Sequence, residues 1–225
     1  MNSLNYKCLV LDHDDTTVNS TPCIHYPAFI DALKVLRPGS KYADCSMEEF
    51  LEIAYDPGLY KFYTETLGFS ADEIAAETKI WKGRCAEVTA PFFPGMADVI
   101  RKQRELGGTV AVVSASYVEF IERDYRAAGV PLPELVFAWD EDKSKNKPSP
   151  WPLEEIMRRT GLRPEDLLMV DDMDLGLRSA RGAGVKCAGV GWGYAVPAVH
   201  ESMRAKADYF CNEVADLAAL LFGEA

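Results

Sequence analysis

The chain has 225 residues, 48% of them hydrophobic and 26% charged, enough for a sizeable core in one domain or in a domain with an insert. Its formal net charge of -11 argues against a nucleic-acid backbone as partner, because such binders carry a basic surface. A small phosphorylated ligand is still compatible, since it needs only a local positive site. Six cysteines with no Cys-x-x-Cys pair, and three histidines, speak against a zinc centre. No basic-then-apolar leader opens the sequence and no run has the length of a membrane span, so the expected setting is the reduced cytoplasm.

Cys8-Leu9-Val10-Leu11 is an unbroken apolar run, as expected of a strand buried on both faces. It stops at Asp12, and Asp14 and Asp15 follow. Residues 20–90 contain no strand pattern. Apolar residues at three- and four-residue spacing predict helices over 27–36, 46–54, 59–67 and 70–88. Ser46 with Glu49, and Ser70 with Glu73, have the spacing of capping boxes. Pro38-Gly39 and Asp56-Pro57-Gly58 mark turns between these helices. The helical block ends at Pro91-Phe92-Phe93-Pro94-Gly95, which reads as a return linker.

From there strands and helices alternate. Helices are predicted over 96–106, 117–128, 151–160, 175–183 and 213–221, and strands over 109–113, 135–138, 167–170, 185–190 and 209–211. This pattern predicts an α/β fold, a doubly wound parallel sheet with an inserted all-helical domain. The expected division is 1–19 and 91–225 for the α/β core and 20–90 for the insert. Cys8, Cys187 and Cys211 fall in predicted strands, where a free thiol packs as a small hydrophobe.

Four polar signals fall at or just past predicted strand ends: Asp12/Asp14, Ser114, Lys147 and Asp171/Asp172. In open α/β sheets, ligands bind at the carboxyl ends of the strands. Closely spaced carboxylates repel, which favours a bound cation or a retained proton. Each signal has a plain structural explanation: an acidic turn, a helix cap at Ser114, a solvated loop around Lys147, a helix start at Asp171. Together they supply a nucleophile, a proton donor, a cation and a hydroxyl on one sheet edge.

Their order and spacing resemble the haloacid dehalogenase superfamily. The Asp-x-Asp-x-Thr motif after a buried strand reads Asp12-His13-Asp14-Asp15-Thr16. The later hydroxyl is Ser114, the lysine is Lys147-Pro148, and the acidic pair is Asp171-Asp172. Gly191-Trp192-Gly193-Tyr194 and Ala207-Asp208-Tyr209 are similar to the phosphoglycolate phosphatase and β-phosphoglucomutase branch, whose helical cap falls where the insert falls here. The resemblance implies a Mg²⁺-dependent phosphomonoester hydrolase of a small phosphorylated metabolite, a monomer or small homo-oligomer with no membrane or nucleic-acid partner.

Carried over residue by residue, the resemblance makes Asp12 the nucleophile that becomes an aspartyl-phosphate, and Asp14 the general acid and base. Mg²⁺ would be held by Asp12, the Asp14 carbonyl and Asp172, with Asp171 in support. Ser114 and Lys147 would bind the phosphoryl group. Asp15, Thr16 and Ala115 would complete its cradle through backbone N–H groups. Three positions depart from the commonest pattern. Asp15 stands where Gly is frequent and is read as turn chemistry. Gly176 stands where many members carry an acid, which gives weight to Asp171 and leaves Asp174 as a fallback ligand. His13 fills the variable position and is expected to pack, without a role in the chemistry.

Dehalogenases of the superfamily lack the second aspartate, so Asp14 favours phosphoryl transfer. The insert would close over the site and choose the substrate. Its aromatic residues should mostly be packing, while Lys34, Arg37, Lys41, Lys61, Lys79, Lys82 and Arg84 are candidate anion contacts. Two other readings share the motif set in part. A sugar-phosphate mutase would return the phosphoryl group to substrate. A receiver-like signalling domain would carry its acidic pair before, not after, the hydroxyl and the lysine.

Overall fold

The computed structural model describes residues 4–223. The first strand, β1 (Cys8–Leu11), is fully buried. The chain then forms α1 (Tyr26–Leu36), α2 (Met47–Tyr55), the short α3 (Leu59–Lys61) and α4 (Ala71–Glu87). It continues through α5 (Met96–Glu105), β2 (Thr109–Val113), α6 (Val118–Ala127), β3 (Leu135–Phe137), α7 (Trp151–Thr160), β4 (Leu167–Asp171), α8 (Asp174–Gly182), β5 (Lys186–Val190), α9 (Pro197–Lys206), β6 (Tyr209–Cys211) and α10 (Val214–Phe222). Two compact units result: 4–19 with 91–223, and Ser20–Ala90. No helix among the described residues is long and apolar enough to cross a membrane.

In the first unit the six strands are parallel and ordered β3-β2-β1-β4-β5-β6. The α/β fold is therefore the doubly wound one that the alternation implied. The chain winds outward from β1 to β3, then crosses back to β4 on the other side of β1. That reversal leaves the crevice between the carboxyl ends of β1 and β4, where open sheets bind ligands. Burial of both faces explains the unbroken apolar runs. Leu9, Leu11, Val110, Val112, Leu168 and Val170 pack on one face with Met96, Ile100, Ile121, Tyr125 and Leu217. Val10, Ala111 and Met169, one residue out of phase, are equally buried. Each such aliphatic side chain contributes roughly 1.5–3 kcal/mol by leaving water.

The second unit is held by an aromatic cluster. The Phe29 ring lies 5.0 Å from Phe50, 6.0 Å from Phe62 and 6.0 Å from Tyr63, and Tyr63 stacks on Phe69 at 5.1 Å. Both capping boxes form, Ser46 with Glu49 and Ser70 with Glu73. The helix expected over 59–67 widens after α3 into a π turn, Phe62–Thr66. The extra residue in that turn lets adjacent Phe62 and Tyr63 both reach Phe29. The aromatic residues are mostly packing, as expected, although Tyr60 is exposed.

α9 is a helix that the sequence reading did not predict. Its buried face is only Val199 and Met203, a single i, i+4 pair and too short a stripe to stand out from alternation with polar residues. Where the helical unit leaves and rejoins the first unit, the two connecting strands run side by side. Val18 and Phe92 form an antiparallel bridge. Asn19 N–H donates to the Pro91 carbonyl at 2.8 Å, and Phe93 N–H to that of Thr17 at 3.1 Å.

Candidate active site

Sheet register builds the site. Leu11 pairs with Val170, and Asp12 N–H donates to the Val170 carbonyl at 2.9 Å. Asp12 therefore emerges beside Asp171, which closes β4. On the other side Leu11 pairs with Val112, so Ser114 falls just past the end of the neighbouring strand. Three carboxylates, Asp12, Asp171 and Asp172, bring oxygen atoms within 4.8 Å of one another, and all three residues are buried. Asp14 is half-buried and lies outside this trio.

Lys147 reaches the trio from the loop before α7. Its Nζ donates to Asp12 Oδ1 and to Asp171 Oδ2, both at 2.6 Å, with only 7% of the side chain exposed. A loop that looked solvated thus delivers a buried cation. Asn146 helps fix it: its Oδ1 accepts from Asp140 N–H at 2.9 Å and its Nδ2 donates to the Asp140 carbonyl at 2.7 Å. At the other end of the loop, Ser179 Oγ donates to the Ser149 carbonyl at 2.6 Å.

Burial raises the titration of the trio. Asp12 is pushed up to about 7 by desolvation, which outweighs the attraction of Lys147. Asp172 is pushed well above the ordinary carboxylate range by burial, then by Asp171 and Asp12. Burial alone would lower Lys147, but Asp12 and Asp171 more than reverse that and hold it protonated. Three ionised carboxylates against one ammonium leave two negative charges uncompensated, which is costly in a buried site. An all-oxygen donor set with that deficit fits a hard divalent cation such as Mg²⁺. Asp12, Asp171 and Asp172 are the side chains placed to hold it.

The surrounding hydroxyls are directed. Thr17 Oγ1 donates to the Asp12 carbonyl at 2.6 Å. Thr16 Oγ1 donates to Asp172 Oδ1 at 3.0 Å and accepts from Asp172 N–H at 3.0 Å. Thr16, expected in a phosphate cradle, therefore has its side chain committed to orienting Asp172. Asp15 requires a correction. Its N–H, expected to face a phosphate, donates to the Val18 carbonyl at 2.8 Å. Its positive φ of 56° makes it the residue on which the loop reverses, a conformation that Asp tolerates better than most.

Ser114 Oγ accepts from Ser116 N–H at 3.0 Å, which leaves its own O–H to donate elsewhere. Ala115 sits exposed at the tip of that turn. Asp174 is turned to Lys206 at 3.2 Å and lies outside the trio. Gly176 has a local reason: a Cβ there would lie 2.0 Å from Asp171 Oδ2. An acid at that position would collide with the carboxylate that Lys147 grips.

His13 packs, as expected, but with a specific partner. Its Nε2 lies 3.2 Å from Asp124 Oδ2, both side chains are nearly inaccessible, and its ring stacks on Tyr125 at 6.2 Å. Asp124 was not singled out from sequence. Its signal was present, because Ile121, Asp124 and Tyr125 follow the i, i+3, i+4 spacing of a buried helix face. Among the cap cations, Arg37 is engaged by Glu73 and by the Phe69 ring at 4.6 Å. Arg84 donates to the Cys23 carbonyl at 3.2 Å.

The sequence profile of the family described as haloacid dehalogenase-like hydrolase matches residues 9–190. The chain belongs to that family. It is accordingly an enzyme of the hydrolase class, which removes the receiver-like alternative. Protein CbbY of Cereibacter sphaeroides is 32% identical over 120 residues, covering 52% of this chain and 52% of the relative. Phosphoglycolate phosphatase of Escherichia coli is 26% identical over 132 residues, covering 55% of this chain and 52% of the relative. Each of these alignments takes in about half of the relative's length. Over nearly the full length, the fold matches the crystal structure of CbbY from Rhodobacter sphaeroides in complex with phosphate. That match has a TM-score of 0.70 at 24% identity and covers 94% of this chain and 96% of the other.

Proposed function

We propose that this family member is a Mg²⁺-dependent phosphomonoester hydrolase of a small phosphorylated metabolite, working through an aspartyl-phosphate on Asp12. The observation that carries the reading is the buried trio Asp12, Asp171 and Asp172 with Lys147 donating to two of its members at 2.6 Å. Such a site has one oriented carboxylate nucleophile and an excess of negative charge that a divalent cation would offset, so that a phosphate group could approach. The names of the relatives, phosphoglycolate phosphatase among them, support a small phosphorylated substrate.

In this reading Asp12 Oδ attacks phosphorus and the P–O bond to the leaving group breaks. Asp14 gives its proton to the departing alkoxide, then removes one from the water that attacks the aspartyl-phosphate. Phosphate leaves and Asp12 returns to its carboxylate form. Lys147 steadies Asp12 and neutralises phosphoryl charge, and the free O–H of Ser114 donates to a phosphoryl oxygen. Asp12, Asp172 and the Asp14 carbonyl would hold Mg²⁺, with Asp171 in support. When bound, the metal offsets the repulsion between nucleophile and phosphate. Selection among substrates is assigned to residues 20–90.

The test is phosphate release from a panel of phosphoglycolate, sugar phosphates, nucleoside monophosphates and pyrophosphate, with Mg²⁺ and with chelator. Metal-dependent release, ranked across the panel, is the expected result. Isomerisation of a sugar phosphate without net phosphate release would replace the hydrolase by a mutase. Release that persists in chelator would overturn the metal assignment.

A further inference from the structure

Gly191-Trp192-Gly193-Tyr194 leaves the end of β5 and does not contribute to the carboxylate trio. Its contacts fall on the backbone of both acidic loops. Trp192 Nε1 donates to the Thr16 carbonyl at 2.9 Å. Tyr194 Oη donates to the Asp172 carbonyl at 3.0 Å. Between them Gly193 lies flat on the first loop, where a Cβ would come within 2.4 Å of the Asp15 carbonyl oxygen. Thr16 and Asp172 already exchange two hydrogen bonds. The four residues therefore close a ring: Thr16 to Asp172, Asp172 to Tyr194, along the chain to Trp192, and back to Thr16.

That ring opposes a specific force. Asp12 and Asp15 on one loop, and Asp171 and Asp172 on the other, are four acids in close quarters, and like charges drive the loops apart. Neither contact of the 192–194 segment neutralises a charge. Both fix the backbone from which the charges project, so the separation of Asp12 from Asp172 is set before any cation arrives. A cation then spends less of its binding free energy on ordering its ligands. We propose that Trp192 and Tyr194 are positioning residues that clasp the two acidic loops and thereby set the affinity of the divalent-cation site. The inference rests on the reading that the trio holds a divalent cation.

The test is calorimetric titration of Mg²⁺ into the metal-free full-length protein, without substrate, for the wild type, Tyr194→Phe and Trp192→Phe. Tyr194→Phe keeps its ring and loses one donor; Trp192→Phe loses its donor and exchanges the indole for a smaller ring. The wild type is expected to bind one Mg²⁺ per chain. Tyr194→Phe, which frees the loop that carries Asp172, should weaken binding about tenfold, and Trp192→Phe by a smaller factor. Tyr6→Phe is the control: it removes a hydroxyl bonded to Tyr209 Oη at 3.1 Å, away from the acidic loops, and should leave Mg²⁺ affinity unchanged. A purely structural role would lower the metal-free melting temperature of Tyr194→Phe while leaving its Mg²⁺ affinity at the wild-type value. Wild-type binding with unchanged affinity in both clasp variants would overturn the clasp and leave the metal reading standing. No Mg²⁺ binding by the wild type would overturn both.

Discussion

Two sets of acids, one at helix starts of the helical unit and one at the strand ends of the α/β unit, titrate in opposite directions. In the helical unit, Glu73 is pulled down to about 2 by Arg37 and by the Ser70 N–H, and Glu49 is lowered by the Ser46 N–H. In the α/β unit, Asp12 is driven up to about 7 and Asp172 is raised strongly, both first by burial. Glu49 and Glu73 sit in the first turns of their helices, where unsatisfied N–H groups and the dipole welcome them. Asp12, Asp171 and Asp172 are instead buried at strand ends with a single ammonium, Lys147, for three carboxylates. The first arrangement stabilises a fold. The second stores a demand for positive charge, and that demand, more than acidity as such, separates the candidate site from the many other carboxylates of a chain with net charge -11.

The largest test of this contrast is Asp12→Asn. Removing the nucleophile should lower kcat on the best panel substrate by at least about 10³-fold. Because it also removes a buried charge, the metal-free melting temperature should hold or rise. A variant that kept near-normal turnover would end the nucleophile assignment. Gly176→Ala comes next. In an ordinary helix this change is favourable by up to about 1 kcal/mol. Here the new methyl meets Asp171 Oδ2, so chemical denaturation should show a loss of about 1–3 kcal/mol, together with weaker Mg²⁺ binding.

A pH series sharpens the comparison without mutation. An acid raised in the folded state destabilises it progressively as pH climbs from the unfolded value, about 3.9 for Asp, to the folded one. For Asp12 that window runs up to about 7, so its share of metal-free stability should fall across this range and then level. Saturating Mg²⁺ should flatten the slope. Glu73 works with the opposite sign. Its stabilisation is complete above its unfolded value and is lost as pH falls toward about 2. Melting curves with and without Mg²⁺ separate the two, since only the neutral-range slope should respond to metal. The smallest effect is expected for Ser70→Ala, which removes a helix cap. It should cost about 1 kcal/mol by denaturation and leave kcat unchanged.

Much of the fold was legible because its signals are local. The run Cys8 to Leu11 is β1, and the two capping-box spacings mark the starts of α2 and α4. What could not be read was set by partners far along the chain. The Thr16 hydroxyl is committed to Asp172, 156 residues away, and nothing near Thr16 announces it. The resemblance alone places Lys147 at the site, since its polar run by composition belongs in solvent; its grip on both Asp12 and Asp171 comes from the convergence of β1 and β4. The Asp15 N–H could not be assigned before the loop was known to close on Val18. Gly176 looked like a missing ligand and is instead clearance for an existing side chain.

The paired connectors carry a consequence for how such a chain could have been assembled. Val18 and Phe92 face each other as bridge partners, so the core backbone is interrupted by a gap no wider than the spacing between neighbouring strands, roughly 5 Å. A two- to five-residue hairpin loop spans that distance, and lengthening a loop across it costs little, about 0.6 kcal/mol per doubling. Residues 20–90, a compact unit of their own, therefore enter and leave the core across one narrow gap. Replacing them with a short Asn-Gly turn should yield a folded α/β core that retains the carboxylate trio. The same joint would accept an unrelated insert and give an old reaction a new clientele.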